Sequence, residues 1–384
     1  MTKVNISKAY LAAFLLYIAT GPYYVWPLLR VQHASAIIGV VISVIFYTEV
    51  RRLSKRDSVL MMLFLLTLLI FSFSLPMPIF GLAFVPLIFL FFSKNDFAKL
   101  VYRHYETIFA FLMIPALVSW NLAIFKIISP ISIIEPLVVA KDYIYYVYPF
   151  CVEAGYESIR FCGPFDEPGV VGTSTAIMLC IRGFKLNNWK TIVLLISGLY
   201  SLSFFFFLIA IIYGFSFSIA RKNYSGLLLI PVLVGGLYFQ TRDDNVFYIS
   251  LWHRFEWNSE EGKLEGDTRQ SEAADAYYAS KRFSSGYWFG LSTAEQEHYN
   301  RIASGSSSYK GVVLAYGMIF FILYMVFFIL IALWNSKKRS DIIFYLIIFL
   351  GTLYQRTNIY DSVTMFLFYV MARKDMFIER SDMA

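Results

Sequence analysis

The stretch from Lys310 to Trp334 has the sequence KGVVLAYGMIFFILYMVFFILIALW, in which Lys310 is the only charged residue. A run of about 20 apolar residues is the length that an α-helix needs to cross the hydrocarbon core of a bilayer. Apolar runs recur along the whole 384-residue chain, which is 58% hydrophobic and 15% charged. Because soluble domains carry about 25% charged residues, the composition predicts an integral membrane protein.

The apolar runs predict an all-α polytopic membrane protein with about twelve transmembrane helices and both termini in the cytoplasm. The predicted spans cover residues 9–29, 31–50, 58–75, 78–93, 107–128, 169–182, 190–200, 202–220, 226–240, 310–334, 341–355 and 358–372. With this count, 20 of the 33 Lys and Arg residues lie in seven short segments on one side, which the positive-inside rule assigns to the cytoplasm. A single kinked span over 190–220 is the alternative, and it would place the later basic clusters outside.

The predicted organisation is one membrane domain over residues 1–384 with two outer loops, at 129–168 and 241–309. The cytoplasmic loops are short and the chain has no G-x-x-x-x-G-K-[S/T] motif, which argues against ATP-driven work. The three Cys and four His residues show neither C-x-x-C nor H-x-x-x-H spacing, so neither a metal nor a cofactor is expected. The net charge of +7 resides largely in short loops between spans, so nucleic acid is not an expected partner.

The first outer loop contains an aromatic segment from Tyr143 to Phe165. Its pattern predicts a hairpin with a turn around residues 153–155. Cys151 and Cys162 both lie on the oxidising side in this topology, so a disulfide and a pair of small buried thiols are both open interpretations.

The hairpin leads into residues 160–172, with the sequence RFCGPFDEPGVVG. Arg160 offers a planar, permanently charged group that suits phosphate or pyrophosphate; its alternative roles are interfacial anchoring or pairing with Asp166 or Glu167. A helix is expected to begin at Pro168, so the N–H groups of Gly169 to Gly172 are candidates to face an anion. Either acid is a candidate general base, and an N-cap or ion-pair role is the alternative.

The second outer loop is predicted to be ordered and helical. Residues 267–270 (DTRQ) and 292–295 (STAE) both resemble capping boxes that open helical stretches. Glycines at 286, 290 and 305 and the serine run near 304–308 separate these stretches.

The order of these segments resembles the O-antigen polymerase (Wzy) and O-antigen ligase superfamily over residues 140–320. The first matching block is R-x-x-G-x-F-x-E-P-x-x-x-G, which contains Gly163 and Gly172. A Ser-rich apolar span follows at 196–203 (ISGLYSLS). The large outer loop then carries Arg269, Tyr277 and Arg282, and residues 308–317 (SYKGVVLAYG) lead into the next span.

The resemblance implies a metal-independent, membrane-embedded glycosyltransferase with a GT-C-like architecture, active on the periplasmic face of the bacterial inner membrane. Its substrates would be glycans linked to undecaprenyl pyrophosphate, with membrane lipid and a chain-length regulator protein as further partners. Arg160 and Arg269 would neutralise the pyrophosphate leaving group, and Glu167 or another outer carboxylate would be the base. The implied substrate-binding residues are Gly163, Asp166, Gly172, Tyr277, Arg282 and Arg356.

His298 separates the two branches of the superfamily. Ligases have a His near the end of the large loop, whereas His298 comes about ten residues too early and serines 306–308 stand in the matching place, which favours a polymerase. His298 is a candidate catalytic residue, and the alternative is a loop-helix residue facing Glu295 or Arg301. Arg356, at the outer end of the penultimate span, is a candidate for the lipid phosphate or an interfacial anchor.

Two other functions remain open. A ligase would join the finished glycan to lipid A core. A flippase for the lipid-linked unit would carry charged residues inside its spans. The predicted spans are nearly free of charge, which favours an enzyme over a transporter.

Overall fold

A computed structural model describes residues 6–25, 34–51, 53–72, 91–134, 144–155, 159–220, 238, 241–243, 248–259, 263–264, 272–303, 309–336, 338–355 and 362–374. The described helices are α1 (Ile6–Ala19), α2 (Ala34–Tyr47), α3 (Lys55–Ser72), α4 (Asn95–Ile124), α5 (Pro168–Arg182), α6 (Trp189–Tyr200), α7 (Phe204–Ala220), α8 (Glu272–Lys281), α9 (Ser285–Phe289), α10 (Thr293–Ile302), α11 (Tyr309–Tyr316), α12 (Met318–Asn335), α13 (Arg339–Gln355) and α14 (Ser362–Ala372). The described strands are β1 (Ser132–Ile134), β2 (Tyr145–Tyr148), β3 (Cys151–Ala154), β4 (Trp257–Asn258) and β5 (Lys263–Leu264).

The structure is mainly helical, as the sequence predicts. Two of the described helices, α4 and α12, are long and apolar enough to cross a membrane. Several shorter apolar helices, among them α1, α5 and α6, occupy other predicted spans. The predicted spans 78–93 and 226–240 lie mostly outside the described residues.

Residues 190–220 form two helices, α6 and α7, joined by a three-residue turn. A Cβ atom on Gly198 of α6 would lie 2.0 Å from the ring of Phe206 in α7. Residues eight apart in one straight helix are separated by about 12 Å along its axis, so the chain bends sharply between them. Leu202, with φ 45°, lies in that bend, so residues 190–220 are not one straight helix.

The predicted span 310–334 is likewise divided, into α11 and α12, at Gly317. This residue has φ 89°, and a Cβ atom there would lie 2.3 Å from the backbone oxygen of Trp288. The left-handed backbone and the close approach both require glycine. The apolar helix thus begins at Met318, and α11 packs with the helices of the preceding loop.

The aromatic hairpin is present, but its turn lies earlier than predicted. Strands β1, β2 and β3 form an antiparallel sheet in that order, with Tyr148 opposite Cys151. The turn is therefore the two-residue loop Pro149–Phe150, in which Phe150 adopts φ 64°. The predicted turn at 153–155 instead falls at the end of β3.

The chain divides into two compact units. The first comprises residues 1–111 and 269–384. Its core is aromatic: Phe64 and Phe327 have ring centroids 4.7 Å apart, as do Phe91 and Tyr369. Each such pair contributes about 0.5–1.5 kcal/mol beyond its buried area.

The second unit comprises residues 112–268. In it, α5 packs against both α6 and α7, and nearly all of α5 is buried. Small residues allow this close packing, since helices approach closely only where side chains are small. The expectation of a single membrane domain over the whole chain stays a prediction.

Candidate functional site

The motif at 160–172 lies in the second unit and is held by backbone hydrogen bonds on two sides. The N–H of Val152 in β3 donates to the carbonyl of Gly163 over 2.8 Å, and the N–H of Phe161 donates to the carbonyl of Tyr200 over 2.9 Å. The ring of Phe161 also lies 6.1 Å from that of Trp120. The hairpin and the end of α6 therefore fix the backbone on either side of Cys162.

Three charged side chains of the motif act electrostatically on the Cys162 thiol. Burial raises the pKa of this thiol to about 12, and the charges of Arg160, Asp166 and Glu167 all act on it. The Arg160 charge opposes the shift and the two carboxylates add to it. Three predicted site residues thus act electrostatically on one buried group, and Arg160 and Asp166 are partly exposed.

Helix α5 begins at Pro168, as predicted from the sequence. Glu167 occupies the N-cap position with an extended backbone, but its side chain makes no capping hydrogen bond. At the other end, Gly183 in a left-handed conformation closes the helix. Glu167 is therefore the N-cap residue by its backbone position, but its carboxylate does not cap the helix.

At both predicted substrate-binding glycines of the motif, a larger residue would be strained or would clash with a neighbouring side chain. Gly163 has φ 56°, and a Cβ atom there would lie 3.3 Å from the ring of Phe161. A Cβ atom on Gly172 would lie 2.3 Å from that of Ser203. Gly172 thus lets α5 approach the turn between α6 and α7.

Cys151 and Cys162 are free, buried thiols. The structure therefore agrees with the interpretation of two buried thiols and not with that of a disulfide. The Cys151 Sγ lies 3.5 Å from the Ser119 Oγ, while the Cys162 Sγ lies 3.8 Å from the carbonyl of Arg160. Burial raises the pKa of Cys151 to about 11, against the opposing effect of the Ser119 hydrogen bond.

The loop helices α8 to α10 lie in the first unit, and their core is aromatic. Tyr278, Tyr287 and Tyr299 are buried together with Leu291 and Leu314. The predicted capping segment at 292–295 begins α10: the Ser292 N–H donates to the Glu295 Oε2 over 3.1 Å. The other predicted box, at 267–270, lies outside the described residues. The prediction of an ordered, helical loop is confirmed for residues 272–303.

In this loop, the ring of Tyr277 contacts two side chains that can carry positive charge, those of His298 and Lys281. The ring of His298 lies 5.3 Å from the ring of Tyr277, and the Lys281 Nζ lies 5.3 Å from the same Tyr277 ring. We call Tyr277, Lys281 and His298 the aromatic–cation surface. His298 is exposed and Tyr277 is half-buried, so this surface is open to solvent.

Lys281 was not among the predicted site residues. It lies four residues after Tyr277 on α8, a spacing that places two side chains on one helix face, and that spacing was the signal available in the sequence. Lys281 Nζ also donates to Glu295 Oε1 over 2.6 Å. This hydrogen bond, with those from Ser292, lowers the pKa of Glu295 to about 2. Glu295 is therefore an ionised structural group.

The other predicted site residues are Arg282, Arg269 and Arg356. Arg282 is exposed at the end of α8, and its charge acts on the buried Tyr278 hydroxyl. Arg269 and Arg356 lie outside the described residues. In the part of the chain that the structure describes, no group of three or more His, Cys, Asp and Glu side chains is placed to hold a metal ion.

Comparison of the chain with protein-family models, with curated protein sequences and with solved structures gives no match in any of the three.

Proposed function

We propose that the protein is a membrane-embedded polymerase that joins lipid-linked oligosaccharide repeat units into O-antigen or a related surface polysaccharide. The observation that carries the proposal is that Arg160, Asp166 and Glu167, which lie just before the start of α5, all act electrostatically on the buried Cys162 thiol. A permanent cation next to two carboxylates suits a reaction in which a phosphate group leaves while a proton is removed.

In the proposed reaction a hydroxyl of the acceptor sugar attacks the anomeric carbon of the donor glycan. The bond between that carbon and the pyrophosphate oxygen breaks, and undecaprenyl pyrophosphate leaves with the electron pair. The hydroxyl proton passes to a base, for which Glu167 is the first candidate. Arg160 stabilises the developing pyrophosphate charge, and Arg269 is proposed to act with it.

The aromatic–cation surface supports the same proposal. Sugar rings have apolar faces that stack on aromatic side chains and hydroxyls that accept hydrogen bonds from cations. Tyr277 and His298 would provide the rings, and Lys281 a donor. Arg282, exposed at the end of α8, extends the positive charge of this surface.

The proposal includes a membrane topology. Twelve spans with cytoplasmic termini would place both outer loops, and hence both regions described above, on the periplasmic face. Helices α4 and α12 support a membrane location by their length and hydropathy.

Two experiments test the proposal. Purified protein reconstituted with undecaprenyl-pyrophosphate-linked repeats should lengthen the glycan within one compartment, and transport without elongation would instead favour a flippase. In cells, deletion of the gene should leave a single repeat unit on the lipid A core. Complete loss of glycan from the core would contradict the polymerase assignment and favour a ligase.

A further inference from the structure

A small, partly open cleft lies in the first unit. It is formed where the C-terminal end of α12 meets the N-terminal end of α3 and the end of α14. Among the described residues, its polar lining consists of Arg51, Asp57, Asn335, Tyr369 and Arg373. Its apolar lining consists of Leu60, Phe91, Phe92, Phe327 and Ile331.

The polar lining carries two cations and one carboxylate. Arg51 Nη2 pairs with Asp57 Oδ1 over 2.7 Å, and the backbone N–H of Arg51 donates to the carbonyl of Phe92 over 2.9 Å. Arg51 Nε is buried and has no hydrogen-bond partner in the described part of the chain. Arg51 is thus held in place while one of its donors remains available.

Arg373 supplies the second cation and is only 5% exposed. Its Nη2 donates to Asn95 Oδ1 over 2.8 Å, and its Nη1 donates to the hydroxyl of Tyr369. The Tyr369 hydroxyl in turn donates to the carbonyl of Phe91 over 3.1 Å. These hydrogen bonds hold the Arg373 guanidinium in the lining of the cleft.

The volume of the cleft limits the size of the group that it can bind. It encloses about 20 Å³, room for about one water-sized group, so an anion would enter with one oxygen while the rest of the molecule stays outside. Asn335 is the last residue of α12, and Ile331 and Phe327 line the cleft one and two turns earlier, respectively. The cleft therefore lies at the end of an apolar helix and is lined by both apolar side chains and arginines.

We propose that this cleft binds the phosphate group of an anionic phospholipid headgroup. Arginine is the side chain best suited to phosphate oxygens, and basic pockets between membrane helices bind lipid headgroups in this way. The lining carries two arginines and one carboxylate, which favours an anionic lipid over a zwitterionic one. This site is separate from glycosyl transfer and depends only on the protein lying in a membrane.

The test is lipid binding by the purified full-length protein in detergent, followed by thermal unfolding. Titration with dioleoyl phosphatidylglycerol should raise the midpoint of unfolding. Dioleoyl phosphatidylcholine or sodium phosphate at the same concentration should raise it far less. Arg51→Gln should weaken the apparent affinity for phosphatidylglycerol about tenfold, the loss expected for one charge-assisted hydrogen bond.

Arg56→Gln is the matched control, since Arg56 is exposed in the first turn of α3 and does not line the cleft. It should bind phosphatidylglycerol as the wild type does. Arg51→Lys, which keeps the charge but loses the planar group, should give an intermediate affinity. Equal binding by the Arg51→Gln and Arg56→Gln variants would overturn the site. An equal shift with sodium phosphate, or with phosphatidylcholine, would overturn the anionic lipid as its ligand. Because no glycan is present, this result is independent of polymerase activity.

Discussion

The imidazole of His298 lies against the ring of Tyr277, with the two planes inclined by 58°. Tyr277 belongs to α8 and His298 to α10, so the contact joins two helices of the loop. The sequence-based alternative placed His298 against Glu295 or Arg301, but Glu295 is paired with Lys281 instead. His298 is thus an exposed ring in tilted contact with another aromatic side chain.

This contact predicts which property of His298 matters. His298→Phe keeps a ring on Tyr277, so glycan chain length should stay within about twofold of the wild type if the residue contributes aromatic surface. His298→Ala removes the ring and should shorten the chains. The measurement is the length distribution of surface polysaccharide in a deletion strain that carries each variant. Loss of elongation in the Phe variant would instead assign His298 a proton-transfer role.

Arg160 should be required for elongation. Arg160→Gln removes the charge that acts on Cys162 and, in the proposed reaction, stabilises the leaving pyrophosphate. Loss of one such group typically lowers a rate by about 100-fold or more. Elongation of lipid-linked repeats by the purified protein measures the effect. Lys126→Gln, which removes an exposed cation of the same unit, is the control and should retain activity. Equal rates in the two variants would remove Arg160 from the site.

The Lys281–Glu295 pair predicts acid sensitivity of α10. The Glu295 pKa of about 2 in the folded protein lies below the value of about 4.3 expected for an unfolded chain. A depressed pKa stabilises the fold above the unfolded value, and that contribution is lost as the pH falls from about 4.3 through about 2. Amide hydrogen exchange in residues 293–302 should therefore accelerate, relative to α12, as the pH falls through this window. Glu295→Gln should show faster exchange at pH 6 and less change on acidification; an unchanged pH profile in that variant would contradict the pairing.

Gly172→Ala should destabilise the second unit. The added methyl group would lie 2.3 Å from the Cβ of Ser203, and overpacking of this kind costs about 1–3 kcal/mol. Denaturant unfolding in detergent measures the change. Ser203→Gly in the same chain removes the clashing atom and should recover part of the loss. Gly311→Ala is the control, since its methyl group would meet Tyr299 at an ordinary distance of 3.4 Å. A Gly172→Ala variant as stable as this control would refute the close packing.

The thiols of Cys151 and Cys162 should be unreactive in the folded protein. With a pKa of about 11, the Cys151 thiol is ionised in about one molecule in a thousand at pH 8, and only the thiolate reacts. A maleimide should label neither residue until the protein is denatured, and labelling after denaturation should need no reductant. A requirement for reductant would show a disulfide, whereas rapid labelling of the native protein would show that the thiols are accessible.

Local signals account for the features that the sequence predicted. Pro168 begins α5 because proline is favoured at the first helical position, and Ser292 with Glu295 begins α10 because both groups lie within one helical turn. The apolar runs predicted helices because burial of a backbone in an apolar medium requires internal hydrogen bonds.

The features that the sequence did not predict depend on contacts between distant residues or on rare backbone angles. The hairpin turn lies at Phe150 because this residue adopts a left-handed conformation, which is uncommon outside glycine. Gly317 interrupts an apolar run because of Trp288, 29 positions earlier in the chain. Lys281 joins the aromatic–cation surface because Glu295, on another helix, holds it there.

The contact between Gly317 and the backbone of Trp288 fixes the distance between α9 and the start of α12. The contact holds α9 against the first residues of α12. Main-chain atoms therefore set the distance between the aromatic–cation surface and the start of the apolar helix. Side chains exposed on α8 and α10 can therefore diversify during evolution without altering that distance. In the proposed polymerase, this constant distance would keep the sugar-binding surface at one height relative to the lipid carrier.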